Sequence, residues 1–222
     1  MNKRNHVVIS GTGRAGTTFL VQLLTKLGLD TGFDPDRLQE SDYHATARAG
    51  LETDIRREVS NYIVKSPDFC NYADEVFERS DIVVDHVFIP MRDLDAAAES
   101  RRRVHKDTID QLSLWQRIRR LLPGHKKKTA GGLRTRLVQS RDEVKVALQD
   151  SLYKLVLACS EQELPVTLMH YPTHTQNSRY TYNKLKPILK DIDFATFEAV
   201  FNEVANPDLV SSYTAADKAA TK

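Results

Sequence analysis

The chain has 222 residues, 41% of them apolar and 28% charged, with a formal net charge of +2; this is the profile of a globular domain with a substantial core, and no run approaches the roughly 18 to 20 apolar residues of a membrane span. Near-neutrality argues against a dedicated nucleic-acid binder, although the charge is segregated, with twelve Lys/Arg against two acids between Arg101 and Arg136. The two cysteines, Cys70 and Cys159, argue against a disulfide scaffold or thiolate metal site, and the short apolar run behind Met1-Asn2-Lys3-Arg4 lacks the length and cleavage site of a signal peptide, which points to the cytoplasm.

The first predicted element is a buried strand over Val7 to Ser10, followed by a turn containing Gly11, Gly13 and Gly16 and an apolar helix from Thr17 to Leu27. Such a loop aims backbone N–H groups and the positive end of a helix dipole at one anion. Gly13, Arg14, Ala15, Gly16, Thr17 and Thr18 are the candidate phosphate-binding residues; the threonines add hydroxyl donors and Arg14 a permanent, fork-shaped cation. The Walker A pattern GxxxxGK[ST] requires lysine after its last fixed glycine, where this chain has Thr17, which argues against an ordinary ATPase or GTPase.

A second strand, Tyr62 to Val64, delivers Lys65 at its carboxyl end and is broken by Pro67, ahead of a helix over Tyr72 to Arg79. A third strand within Ile82 to Met91 ends at Arg92. The helix predicted over Asp93 to Val104 carries Ser100, eight residues beyond Arg92 and about two turns along, so a phosphate fits between them. Helices over Ile109 to Leu122 and Leu137 to Glu161 flank Pro123 to Gly132, a flexible basic stretch read as a candidate lid. Trp115, Ile118 and Leu121 stand at helical spacing, as core or as the lining of an acceptor pocket. A strand over Val166 to Tyr171, helices over Tyr182 to Lys190 and Phe194 to Val204, and a frayed tail over 211–222 complete the pattern. The alternation predicts an α/β fold in three layers, a central mainly parallel sheet flanked by helices, as one domain over 1–210 with a basic insertion around 106–136. In such a sheet the glycine loop, Lys65 and Arg92 share the carboxyl edge.

These elements, in this order, resemble the sulfotransferase superfamily. Gly13-Arg14-Ala15-Gly16-Thr17-Thr18-Phe19-Leu20 resembles its 5′-phosphosulfate loop, in which the basic residue precedes the glycine. Tyr62-Ile63-Val64-Lys65-Ser66-Pro67-Asp68-Phe69 resembles the lysine segment of cytosolic and, more closely, glycan sulfotransferases, and Arg92 with Ser100 has the spacing of the 3′-phosphate motif. The resemblance covers His6 to His105. It implies a P-loop-like fold with 3′-phosphoadenosine 5′-phosphosulfate (PAPS) as sulfuryl donor, PAP as product and no metal. The implied acceptor is a hydroxyl or amine of a small molecule, glycan or biosynthetic intermediate, and Arg14 and Lys65 would stabilise charge on the bridging oxygen. Acceptor identity and oligomeric state do not follow from it. Asp93-Leu94 stands where Asp/Asn-Pro is common, and the C-terminal Arg-Lys-Gly-x-x-Gly clamp has no counterpart; Arg101 to Arg103 or Lys126 to Lys128 are candidates for that role on charge alone.

Deprotonating the acceptor requires a base. Cytosolic relatives place histidine two residues after the lysine, where this chain has Pro67, so Asp68, His44 and Glu52 compete for the role, and the glycan branch, with a glutamate from a comparable region, favours Glu52. His86 and His170 fall in predicted strands and read as structural, whereas His105, His125 and His174 show neither metal-ligand spacing nor a triad partner. Two other readings stay open: a nucleotide or small-molecule kinase with an atypical phosphate loop, opposed by the missing lysine and magnesium-binding aspartate, and a non-catalytic nucleotide- or polyanion-binding module.

Overall fold

A computed structural model of the chain describes residues 3–38, 43–44, 49–110 and 140–207. Strand β1 (Arg4–Ile9) lies between β4 (Ile63–Lys65) and β5 (Ile82–Met91), and β6 (Val166–His170) extends the sheet beyond β5, giving the order β4-β1-β5-β6 with every pair parallel. A parallel sheet covered on both faces needs apolar residues on both, and Val7, Val8 and Ile9 are all fully buried. Val7 and Ile9 face α1 (Thr17–Lys26), α6 (Ser178–Leu189) and α7 (Phe194–Val204), while Val8 faces α2 (Ala73–Phe77) and α4 (Arg141–Glu161). Helix α3 (Leu94–Asp110) packs through Ala97 and Ala98 on Val144 and Leu148 of α4. Two strands of two residues, β2 (Tyr43–His44) and β3 (Ala49–Gly50), form an antiparallel hairpin, and α5 (Thr173–Gln176) is a single turn after β6.

The chain is thus α/β, with a four-stranded, all-parallel sheet flanked by helices, and each of the four predicted strands has its counterpart within it. The first difference is a bulge: His6 pairs with Val84 but Val7 pairs with His86, so Asp85 is an extra residue in β5. The insertion changes the parity of the strand, which is why Ile82 and Val84, then Val87 and Ile89, all reach the same core. Asp85 accepts hydrogen bonds from Asn5 Nδ2 (2.8 Å) and the Tyr62 hydroxyl (3.1 Å) there. Helix α6 begins four residues earlier than predicted, because Asn177 caps it by accepting from the Tyr180 N–H (2.8 Å). Helix α4 starts at a capping box: the Ser140 side chain accepts from Glu143 N–H (3.2 Å) while the Ser140 N–H donates to Glu143 Oε2 (2.7 Å). Helix α3 runs on through Asp110, past its predicted end at Val104 and into the start of the helix predicted over Ile109 to Leu122; the rest of that helix, the basic stretch 123–132, the start of the next helix at 137–139 and the tail 211–222 lie outside the described residues. Among the described residues, no helix is long and apolar enough to cross a membrane.

Candidate functional site

Parallel strands bring their carboxyl ends to one edge, and register fixes the neighbours: Ile9, the last residue of β1, pairs with Lys65 on one side and Phe88 on the other. The loop leaving Ile9 turns through Gly11 (φ +141°), Gly13 (φ +67°), Arg14 (φ +56°) and Gly16 (φ +79°) before α1 begins at Thr17. Glycine is required at Gly16 on two counts, because its φ is left-handed and a Cβ there would stand 2.5 Å from His174 Nε2. No side chain caps α1, so its first-turn N–H groups are available to an anion. Ala15 and Thr17 are buried, and the buried Ser10 hydroxyl has no partner among the described residues.

The three predicted elements meet by direct hydrogen bonds. Lys65 Nζ donates to Thr18 Oγ1 (2.9 Å) and to the Gly50 carbonyl, tying β4 to the first turn of α1 and to the hairpin. Arg14 Nε donates to Ser100 Oγ (3.2 Å), and Arg92 Nη1 donates to the Arg14 carbonyl (2.8 Å) while its guanidinium lies 4.8 Å from the Tyr171 ring centroid. Asp93 Oδ1 accepts from the Ala96 N–H (3.0 Å), starting α3 immediately after Arg92 without the proline common at that point.

Lys65 is 2% exposed. Burial pulls its pKa from the ordinary 10.5 to about 8, with Glu52 opposing the shift and Arg14 adding to it. Glu52 is exposed on the segment after β3, which the Thr53 N–H fastens to the Lys65 carbonyl (2.9 Å). Together with Asp68, Ser66 and Tyr72 it lines a polar cleft of about 360 Å³. Two of the three candidate bases, Glu52 and Asp68, therefore share one cleft beside Lys65. The third, His44, sits on β2 opposite Ala49, and its side chain lies outside the described residues.

Two further residues stand at this edge: His174, which the sequence left without a role, and Arg101, which it offered only within the run Arg101 to Arg103 as a candidate clamp. His174 is fully buried against Gly16; its Nδ1 is 3.2 Å from the His170 carbonyl and burial pulls its pKa down to about 4, so it backs the loop as a neutral ring. Arg101 lies across Gly13, whose missing Cβ would come within 3.0 Å of Arg101 Nη2. The spacing of Arg101 from Ala97, Ala98 and Val104 on one helical stripe is the signal that could have found it; His174 had only its position just past the last strand. His86 and His170 have partners in Thr167 (2.8 Å) and Thr173 (2.7 Å). The Lys126 to Lys128 cluster, the His105 and His125 side chains, and Trp115, Ile118 and Leu121 lie outside the described residues.

Among the described residues, no group of three or more His, Cys, Asp or Glu side chains is arranged to hold a metal ion. No protein-family model matches the chain, and no curated protein matches it in sequence.

Proposed function

We propose that this chain is a PAPS-dependent sulfotransferase with a P-loop-like fold. The observation that carries the reading is the hydrogen-bonded chain Arg92–Arg14–Ser100, beside Lys65 on Thr18, which joins three motifs distant in sequence around one uncapped helix start. The residues suit an anionic donor: the loop is shaped by positive-φ glycines, and among the described residues the buried Ser10 hydroxyl and Arg101 Nε have no partner. PAPS, when bound, supplies a sulfuryl group activated by its bond to phosphate.

The loop amides from Gly13 to Thr18 and the threonine hydroxyls hold the 5′-phosphate, and Arg92 with Ser100 holds the 3′-phosphate. Lys65 has three Nζ donors, of which Thr18 and Gly50 use two, leaving one for the ligand. Arg14 and Lys65 oppose the negative charge that grows on the bridging oxygen as its bond to sulfur breaks. Glu52 takes the acceptor's proton as the acceptor oxygen or nitrogen bonds to sulfur, and the cleft it shares with Asp68 is the acceptor's place.

The test supplies radiolabelled PAPS, or labelled ATP with magnesium, together with a panel of alcohols, glycans and amines. Magnesium-independent transfer of label from PAPS is expected. Magnesium-dependent phosphorylation from ATP would instead identify a kinase, and tight binding of PAP with no transfer to any acceptor would identify a binding module.

A further inference from the structure

Arg101 is a partly buried cation that has no counter-ion among the described residues. Its Nε is buried with no hydrogen-bond partner, and its Nη2 faces Gly13 of the phosphate loop. Burial lowers its pKa, and Asp68, Cys70 and Glu52 oppose that shift only through space; among the described residues no carboxylate pairs with it. Its neighbours on α3 differ: Arg102 Nη1 and Arg103 Nε both pair with Glu99, at 3.0 and 3.2 Å. Helical phase points Arg103 outward and turns Arg101 toward Gly13. A guanidinium N–H withdrawn from water is costly unless an acceptor compensates it.

Position selects the anion. Arg92 and Ser100 both meet Arg14, through its carbonyl and its Nε, whereas Arg101 meets Gly13 and shares Glu52 with Lys65 as an electrostatic neighbour. It therefore stands where the loop adjoins the cleft of Glu52 and Asp68. Building on the phosphosulfate reading of the site, we propose that Arg101 binds the transferring sulfuryl group, its guanidinium donating to the non-bridging oxygens, as a third catalytic cation rather than a 3′-phosphate clamp. The bond from sulfur to the bridging phosphate oxygen breaks with its electron pair leaving on phosphate, the bond to the acceptor forms, and the acceptor's proton goes to the base. Arg101 keeps its charge and its contact throughout.

Calorimetric titration of the full chain with PAPS and with PAP, without acceptor, tests this in the wild type, Arg101→Met, Arg101→Lys and the surface control Arg103→Met. Losing a charge-assisted contact in Arg101→Met weakens PAPS binding by about 10- to 100-fold while PAP binding barely moves. The lysine variant recovers part of the loss and Arg103→Met matches the wild type. Equal losses for both nucleotides, or none for either, overturn the proposal. Should the wild type bind neither nucleotide, the sulfotransferase reading itself fails, and inorganic sulfate then decides Arg101 separately. A sulfate-dependent rise in melting temperature that vanishes in Arg101→Met upholds the anion contact; an equal response in both proteins, including none, removes it. Without ligand, Arg101→Met is expected to melt no lower than the wild type, since a partly buried, uncompensated cation has been removed; a lower melting temperature would mark the residue as structural.

Discussion

Replacing Lys65 by methionine separates what this residue does for binding from what its burial costs the fold. The ammonium is 2% exposed, and its pKa falls from 10.5 to about 8 on folding. At about 1.4 kcal/mol per pH unit, that difference corresponds to about 3 kcal/mol of unfavourable burial. Below pH 8 folded and unfolded chains both carry the proton, so the penalty is constant. Between pH 8 and 10.5 the unfolded chain retains a proton that the folded chain has released, so the wild type gains stability as pH rises through this window. The Lys65→Met variant has no such group. Urea unfolding of both proteins from neutral pH to pH 10.5 should therefore show the stability difference moving against the variant by about 3 kcal/mol, mostly above pH 8. Other titrating groups cancel in the difference. The same variant should lose turnover by on the order of 10² to 10³, the usual effect of removing one preorganised charge contact. A stability difference that does not change with pH would refute the claim that Lys65 is held desolvated at the loop.

Because Lys65 acts as a cation, kcat/KM for PAPS should fall as pH rises through about 8, and a flat profile there would count against it. Gly16→Ala puts a Cβ into left-handed backbone and against His174 Nε2, so the melting temperature should drop by the equivalent of roughly 1 to 3 kcal/mol and PAP affinity should drop with it; unchanged values would mean the loop is not held in this form. Glu52→Gln should reduce turnover by about 10² to 10⁴ while leaving PAP affinity intact, and if Asp68→Asn alone does so, the base is Asp68.

The parts of this fold that sequence revealed are those with local causes. Continuous apolar runs marked the parallel strands, glycine and proline marked their ends, and the sheet's parallel order then brought the loop, Lys65 and Arg92 to one edge. The bulge at Asp85 left no such mark, because the apolar alternation on either side of it fits a regular strand of either parity. The hairpin of β2 and β3 has only two residues per strand, too few for any period. Arg101, Arg102 and Arg103 are indistinguishable as a charge run; the packing of Ala97 and Ala98 on α4 sets the rotation that turns the first toward Gly13 and leaves Glu99 to pair with the other two. The contact of His174 with Gly16 joins residues far apart in the chain and arises only once β6 has joined the sheet beside β5.

The most direct test of the central claim is calorimetric titration with PAP and with ATP, each with and without magnesium, on the wild type and Arg92→Ala. The account predicts magnesium-independent PAP binding that Arg92→Ala weakens by about 10- to 100-fold. Magnesium-dependent binding of ATP with none of PAP would contradict it.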